Sequence, residues 1–395
     1  MTKRKHILML LQNNAYSHDV RVRNEAQSLV AAGYDVTVIC PADGKRFTFR
    51  DVAGVRVWSY PPPRDGNGVI GYAIEYGYSL IMMGLFSLLV LLRRRFDVVH
   101  AHNPPDMLVL IALFYKMLGK KFVFDHHDLS PELYRYARFS GSGNAVLFRL
   151  LIFFEMLSCK VADRVIAVNQ SYRDVEVKRA KIKPEKISIV RNGPNLAQFA
   201  LSHVANPSEK NGKIVIGYLG IIGYQDGVDH LVRAVGHLVN DFGKSDIECV
   251  VVGEGDALPA AQQLANELKL SEYITFIGWI PYTSVPECLR RFDICVAPEP
   301  SNIYSDRSTV IKIMEYMAFA KPIVAYDLPE HRYSAGEAAV YATNNTPLEL
   351  AQHIAALIDD PQRRETMGQA GRERVENVLS WSHQERALLE MYSSL

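Results

Sequence analysis

Cysteine is scarce, at five residues in 395. Cys40, Cys159, Cys249, Cys288 and Cys295 form no C-x-x-C pair and no Cys/His zinc spacing. This usage argues against a disulfide framework and a structural zinc, and it fits a reducing compartment. Short-period repeats and low-complexity tracts are also absent, which excludes solenoids and disordered arrays. The start, MTKRKHILMLLQNN, offers about six apolar residues before Gln12 where a secretory signal core needs ~7–15, so it reads as a first strand. The formal net charge is only +1, and no nucleic-acid partner is expected. That charge is unevenly spread: residues 1–200 carry roughly +11 and the remainder about −10. A basic first half suits either anionic lipid and phosphate-bearing substrates or a solvated surface attracted to an acidic second half.

What the chain does have is strand-like runs alternating with helix-like ones. HILMLLQ, YDVTVIC, GVRVWSY, DVVHAH, KFVFDH, DRVIAV and KISIV mark the first half, and KIVIGYLG, IECVVVG, YITFIG, DICVAP and KPIVAYD the second. Such alternation predicts parallel sheets with right-handed crossovers, and the length predicts two doubly wound α/β domains. Ligands of such sheets bind outside the carboxyl ends of the strands. The boundary falls in the polar segment Arg191 to Lys213, which carries Pro194 and Pro207.

One apolar run stands out. Tyr76 to Leu92 is uncharged and is followed by Arg93, Arg94 and Arg95, at the lower length limit of a membrane span. The strands on either side should share one sheet, so a buried helix or one lying in the membrane interface fits better than a crossing.

The stretch SDRSTVIKIMEYMAFAKPIVAYD, Ser305 to Asp327, places Arg307, Lys312 and Glu315 in an otherwise buried pattern. With Ser308 or Thr309 as N-cap, the helix is expected to run to Phe319, with both cations at its N-terminus. A cation there opposes the helix dipole, and a bound diphosphate reverses that penalty. Glu315, three residues on, shares the face of Lys312 and could accept hydrogen bonds from two ribose hydroxyls. A plain Lys312–Glu315 surface pair is the competing reading.

IKIMEYMAFAKPIVA resembles the nucleotide-sugar motif of family 4 glycosyltransferases, retaining enzymes of the two-Rossmann GT-B type. The likeness extends through SHDVRVRNEAQSLVAAGYDVTVIC, DVVHAHNPPD, FDHHDLSPEL, YLGIIGYQDGVDHLVRAV, VVVGEGD, ITFIGWIP and YDLPEHRYSAGEAAVYA. It implies two Rossmann-like domains facing across a cleft: an acceptor domain over 1–200, a nucleotide-sugar domain over 210–375, and a last helix over 376–395 returning to the N-terminal domain. Glu315 matches the second glutamate of the family's E-x7-E motif, while Arg307 occupies the first glutamate's place. The usual loop cations read Ile221 and Asp226 here, so Arg307 and Lys312 are expected to supply the missing charge.

Gly220 and Gly223 follow a strand and open a helix, a phosphate-loop pattern. Glu254, between Gly253 and Gly255, is a further nucleotide-site candidate, or part of a plain turn. His100, His102, His126 and His127 sit at two strand ends, where a sugar pocket fits better than a zinc cluster. His127, before Asp128, matches the family histidine near the transferred sugar, with a simple helix-capping turn as the alternative. Asp19, Arg21 and Asn24 match the family's first loop and helix, although Arg21 and Arg23 also read as surface charges. No Asp-x-Asp triplet is present, so metal-independent transfer is expected, with no cofactor beyond the nucleotide-sugar co-substrate.

The expectation is a retaining glycosyltransferase with catalytic residues His127 and Asp19. It would move a hexose or N-acetylhexosamine from a UDP-linked donor to a glycan or polyprenyl-linked saccharide in surface polysaccharide assembly. The setting is cytoplasmic, with peripheral contact at the inner face of an anionic membrane. The alternatives are a nucleotide-sugar 2-epimerase and a non-catalytic binding subunit.

Overall fold

The computed structural model describes residues 4–62, 68–138, 143–196 and 212–395. Most of the expected linker, Pro207 included, lies outside them. The chain forms two compact units, one of Met1–Arg135, Ser142–Asn192 and Ser382–Leu395, the other of Tyr136–Gly141 and Gly193–Trp381.

In the first unit the strands are β1 (His6–Leu11), β2 (Asp35–Pro41), β3 (Thr48–Val52), β4 (Val55–Tyr60), β5 (Val98–His102), β6 (Lys121–His126), β7 (Arg164–Ala167) and β8 (Ile187–Ile189). They pair in the order β3-β4-β2-β1-β5-β6-β7-β8. Every pair is parallel except β3 with β4. All six residues of β1 are buried, as a strand covered on both faces requires.

The step from β1 to β2 runs one way along the sheet and carries helix α1 (Val20–Ala31). The steps β4 to β5, β5 to β6 and β6 to β7 run the other way. They carry α2 (Gly68–Arg94), α3 (Val109–Met117) and α4 (Ala145–Val161). Right-handed crossovers therefore set these three helices together on the face opposite α1. The Tyr115 hydroxyl of α3 donates to Ser87 Oγ of α2 at 2.7 Å.

β3 escaped the sequence reading because it is largely exposed and lacks an apolar run. Its register comes instead from the turn at Ala53 and Gly54, with φ of +53° and +82°, which brings it back antiparallel to β4.

The second unit holds β9 (Ile214–Leu219), β10 (Ile247–Val252), β11 (Ile274–Gly278), β12 (Ile294–Ala297), β13 (Ile323–Tyr326) and β14 (Ala339–Ala342). They are paired β11-β10-β9-β12-β13-β14, all parallel. The four-residue β14 was also missed, being too short to show a period. Helices α5 (Val228–Asn240) and α6 (Leu258–Glu267) follow β9 and β10, and α7 (Ile311–Ala318) precedes β13. One core layer gathers Leu231, Val235 and Ile354, the other Ile313, Met314 and Met317.

The last helix, α8 (Trp381–Ser393), packs into the first unit. Its Tyr392 Oη lies 2.8 Å from His100 Nδ1, and Gln384 Oε1 accepts the Arg191 N–H at 3.1 Å. Strand order reverses between β1 and β5 in one unit and between β9 and β12 in the other, so each has a crevice at that switch point.

Candidate active site

At the second unit's switch point, β9 runs into Gly220 at φ +154°, and β10 into Gly253 at φ +141°. The two turns are zipped by Gly220 N to Val252 O at 3.0 Å and Ile222 N to Glu254 O at 2.9 Å. A Cβ on Gly253 would fall 1.7 Å from Gly220 O, and one on Gly220 would fall 2.8 Å from Lys312 Cε. Only glycine fits at either place.

Lys312 lies in the first turn of α7 and is 7% exposed. Its ammonium donates to Tyr218 Oη at 2.9 Å and ion-pairs with Glu299, which follows β12. Asp226 Oδ1 is 3.9 Å away, and the Tyr218 ring lies beneath at 4.3 Å to its centroid. Burial would lower the lysine's pKa, but Glu299, Tyr218 and Asp226 outweigh it and hold the ammonium charged. Asp226 also accepts the Gly223 N–H at 2.9 Å, and burial raises its carboxyl to about 6.

Glu315 is 7% exposed, bonded to the Tyr282 hydroxyl, and raised by burial to about 7. The surface-pair reading is thus corrected: both residues are buried, and Lys312 pairs with Glu299. The expected N-cap is corrected too. Ser308 Oγ donates to Tyr304 O at 2.9 Å and Thr309 Oγ1 to Glu330 Oε2 at 3.0 Å, so neither hydroxyl caps α7, which starts at Ile311 behind Val310. Half-buried Arg307 closes a separate 3₁₀ turn, Ser305–Arg307, outside the helix. Glu254 is exposed on the turn after β10. Sequence reasoning missed Glu299, Tyr218 and His331, whose Nε2 is 3.6 Å from Glu299 Oε2. The available signal was a carboxylate just past a strand's carboxyl end.

At the first unit's switch point Asp19 caps α1, its Oδ1 accepting the Val22 N–H at 2.8 Å. Arg21, expected either in the family's first-helix site or as a surface charge, is buried and grips Asp125 with two bonds of 2.7 Å. Its Nη1 donates to Val190 O at 2.9 Å. Asp125 Oδ2 also faces His102 Nδ1 at 2.9 Å and His127 Nδ1 at 3.4 Å. Burial would raise the Asp125 carboxyl, yet Arg21 and then His127 hold it well below the usual range. Burial would lower His127, but Asp125 raises it above the ordinary histidine value. The His127 side chain is 10% exposed, whereas His100, His102 and His126 are sealed. The four histidines therefore do not line one pocket. His126 belongs to a separate buried cluster, 3.0 Å from Glu176 and 3.6 Å from Glu155.

Glu25, His100, His102 and Asp125 place potential metal ligands within 4.8 Å of one another. The Arg21 guanidinium lies 3.2 Å from Glu25 and 2.7 Å from Asp125. It already stands where a cation would balance those carboxylates, so the set does not fit a metal ion.

Two family models cover most of the chain: "Glycosyltransferase Family 4" matches residues 19–198, and "Glycosyl transferases group 1" matches residues 213–360. The chain belongs to the group 1, family 4 glycosyltransferases. It is 28% identical over 75% of its length to alpha-maltose-1-phosphate synthase of Mycolicibacterium smegmatis, covering 78% of that protein. It is 20% identical over 94% of its length to the GPI3 subunit of phosphatidylinositol N-acetylglucosaminyltransferase from Saccharomyces cerevisiae, covering 78%. In fold, this glycosyltransferase matches sucrose-phosphate synthase of Thermosynechococcus elongatus with a TM-score of 0.80, at 17% identity over 99% of both chains. HepE of Anabaena, solved in complex with UDP, matches with a TM-score of 0.72 at 16% identity, over 99% of this chain and 100% of that one. Both units thus carry the GT-B architecture. Within the second unit, Lys312 packs against the glycine turn at Gly220.

Proposed function

We propose that this glycosyltransferase transfers a hexose or N-acetylhexosamine, with retention, from a UDP-linked donor to a glycan or lipid-linked saccharide, without a metal ion. The observation that carries the donor assignment is Lys312, held charged against Gly220 at the second unit's switch point. An ammonium beside a glycine turn and a helix N-terminus suits a departing diphosphate. Glu315, one turn further along α7, is our candidate acceptor for the ribose hydroxyls. Relatives named for glucosyl and N-acetylglucosaminyl transfer, and a neighbour solved with UDP, support this donor class.

His127 offers the accessible imidazole among the four histidines, and Asp125 fixes which ring nitrogen points outward. It serves a hydroxyl of the transferred sugar, while Asp19 lies at the start of α1 on the same unit. The test is to incubate the enzyme with UDP-sugars, with and without saccharide acceptors and with chelator throughout. Acceptor-dependent UDP release, with the product anomer matching the donor by NMR, is expected. Altered donor without acceptor would replace transfer by epimerisation.

A further inference from the structure

We infer that the outer surface of the α2–α3–α4 layer docks on an anionic lipid bilayer. Helix α2 is 27 residues long, or about 40 Å at 1.5 Å per residue, and is apolar enough to cross a membrane. It does not cross one, because β4 before it and β5 after it belong to one sheet. Its inner stripe, Ser79, Met83, Phe86 and Val90, is buried. Its outer stripe repeats the same spacing in exposed apolar residues: Ile81 at 64%, Leu85 at 52%, Leu88 at 39% and Leu92 at 80%.

The neighbouring helices continue this surface. On α3, Leu110, Phe114 and Met117 are exposed at helical spacing, and on α4, Val146, Leu150 and Phe153 are. A single exposed apolar residue is ordinary, but three adjacent stripes on one face of a sheet are not.

Charge selects the occupant. The sequences of α2, α3 and α4 contain two carboxylates, Glu75 and Glu155. Glu75 is half-buried and accepts from Gln12, while Glu155 is buried with Arg179. Exposed Arg93 and Arg94 end α2 and exposed Arg95 follows it, while exposed Lys121, Arg149 and Lys160 flank the other stripes. An apolar layer rimmed by cations, with no exposed carboxylate among the described residues of its three helices, matches acyl chains beneath anionic headgroups, with α2 lying in the interface plane.

The test is co-sedimentation of the full chain with vesicles of phosphatidylcholine alone or containing about one third phosphatidylglycerol. Two variants accompany the wild type: Arg93→Ser/Arg94→Ser/Arg95→Asn, and Leu85→Ser/Leu92→Ser/Met117→Ser. All six positions are exposed, so unfolding midpoints should match the wild type, which calorimetry checks. Binding to the phosphatidylglycerol vesicles is expected. At roughly fivefold per cation, the arginine variant should lose about a hundredfold in partitioning. The apolar variant should lose at least about tenfold, with wild-type salt sensitivity. No vesicle binding, or equal binding to neutral vesicles, would overturn the proposal. So would a dimer in solution that the apolar variant dissociates, since a second copy would then cover the face.

Discussion

Replacing Glu315 by Gln should move stability and nucleotide affinity in opposite directions. Burial raises the Glu315 carboxyl from 4.5 to about 7, so the folded protein holds the proton more tightly than the unfolded chain does. Below pH 4.5 both states are protonated and no penalty exists. As the pH rises the unfolded chain ionises first, and above 7 the folded state carries the full cost of a buried carboxylate, on the order of 3 kcal/mol. Gln keeps an acceptor for Tyr282 and carries no such cost. The variant should therefore match the wild type near pH 4.5 and exceed it at pH 8.5 by about 1–3 kcal/mol, a rise of roughly 2–4 °C per kcal/mol for a unit of this size. Charge-assisted hydrogen bonds to a ribose are worth about 1.5–3 kcal/mol, so UDP affinity should fall roughly tenfold to a hundredfold. Calorimetric melts across pH 4.5–8.5 check the first claim and UDP titration the second. A wild-type-to-variant difference in stability that does not change with pH would refute the reasoning.

Lys312→Met should cost about 3–5 kcal/mol, because Glu299 and Asp226 lose their shared cation; denaturant unfolding reads this, and Glu299→Gln should cost less. UDP-sugar affinity should fall as the pH rises through about 6, where Asp226 becomes charged beside the glycine turn, and Asp226→Asn should flatten that profile in calorimetric titrations. Gly253→Ala should abolish nucleotide binding and lower the melting midpoint, since its Cβ would lie 1.7 Å from Gly220 O. His127→Gln should reduce kcat by about 10²-fold or more while leaving UDP affinity within about twofold, as steady-state kinetics and titration would show.

The strands of both units could be read from the sequence because buried parallel strands are continuous apolar runs, β1 being the clearest. β3 and β14 could not, one exposed and the other four residues long. Lys312 and Glu315 stood out because charges inside a buried helical pattern are costly without a purpose. Their surroundings did not: Glu299 lies between two prolines after β12 and resembles any loop carboxylate. Arg21 was ambiguous for a similar reason. Its decisive partner, Asp125, is 104 residues away in the chain, and nothing local distinguishes a buried guanidinium from an exposed one. The N-cap expectation failed because Ser308 and Thr309 spend their hydroxyls on Tyr304 and Glu330, contacts set by tertiary packing.

The donor site on the second unit is tested most directly by calorimetric titration of UDP, with chelator present, into the wild type, Glu315→Ala and Lys312→Met. Micromolar binding to the wild type that falls at least about tenfold in each variant is the predicted result. Equal affinity in all three proteins, or no binding to a folded wild type, would contradict the assignment of α7 and the Gly220 turn to the nucleotide.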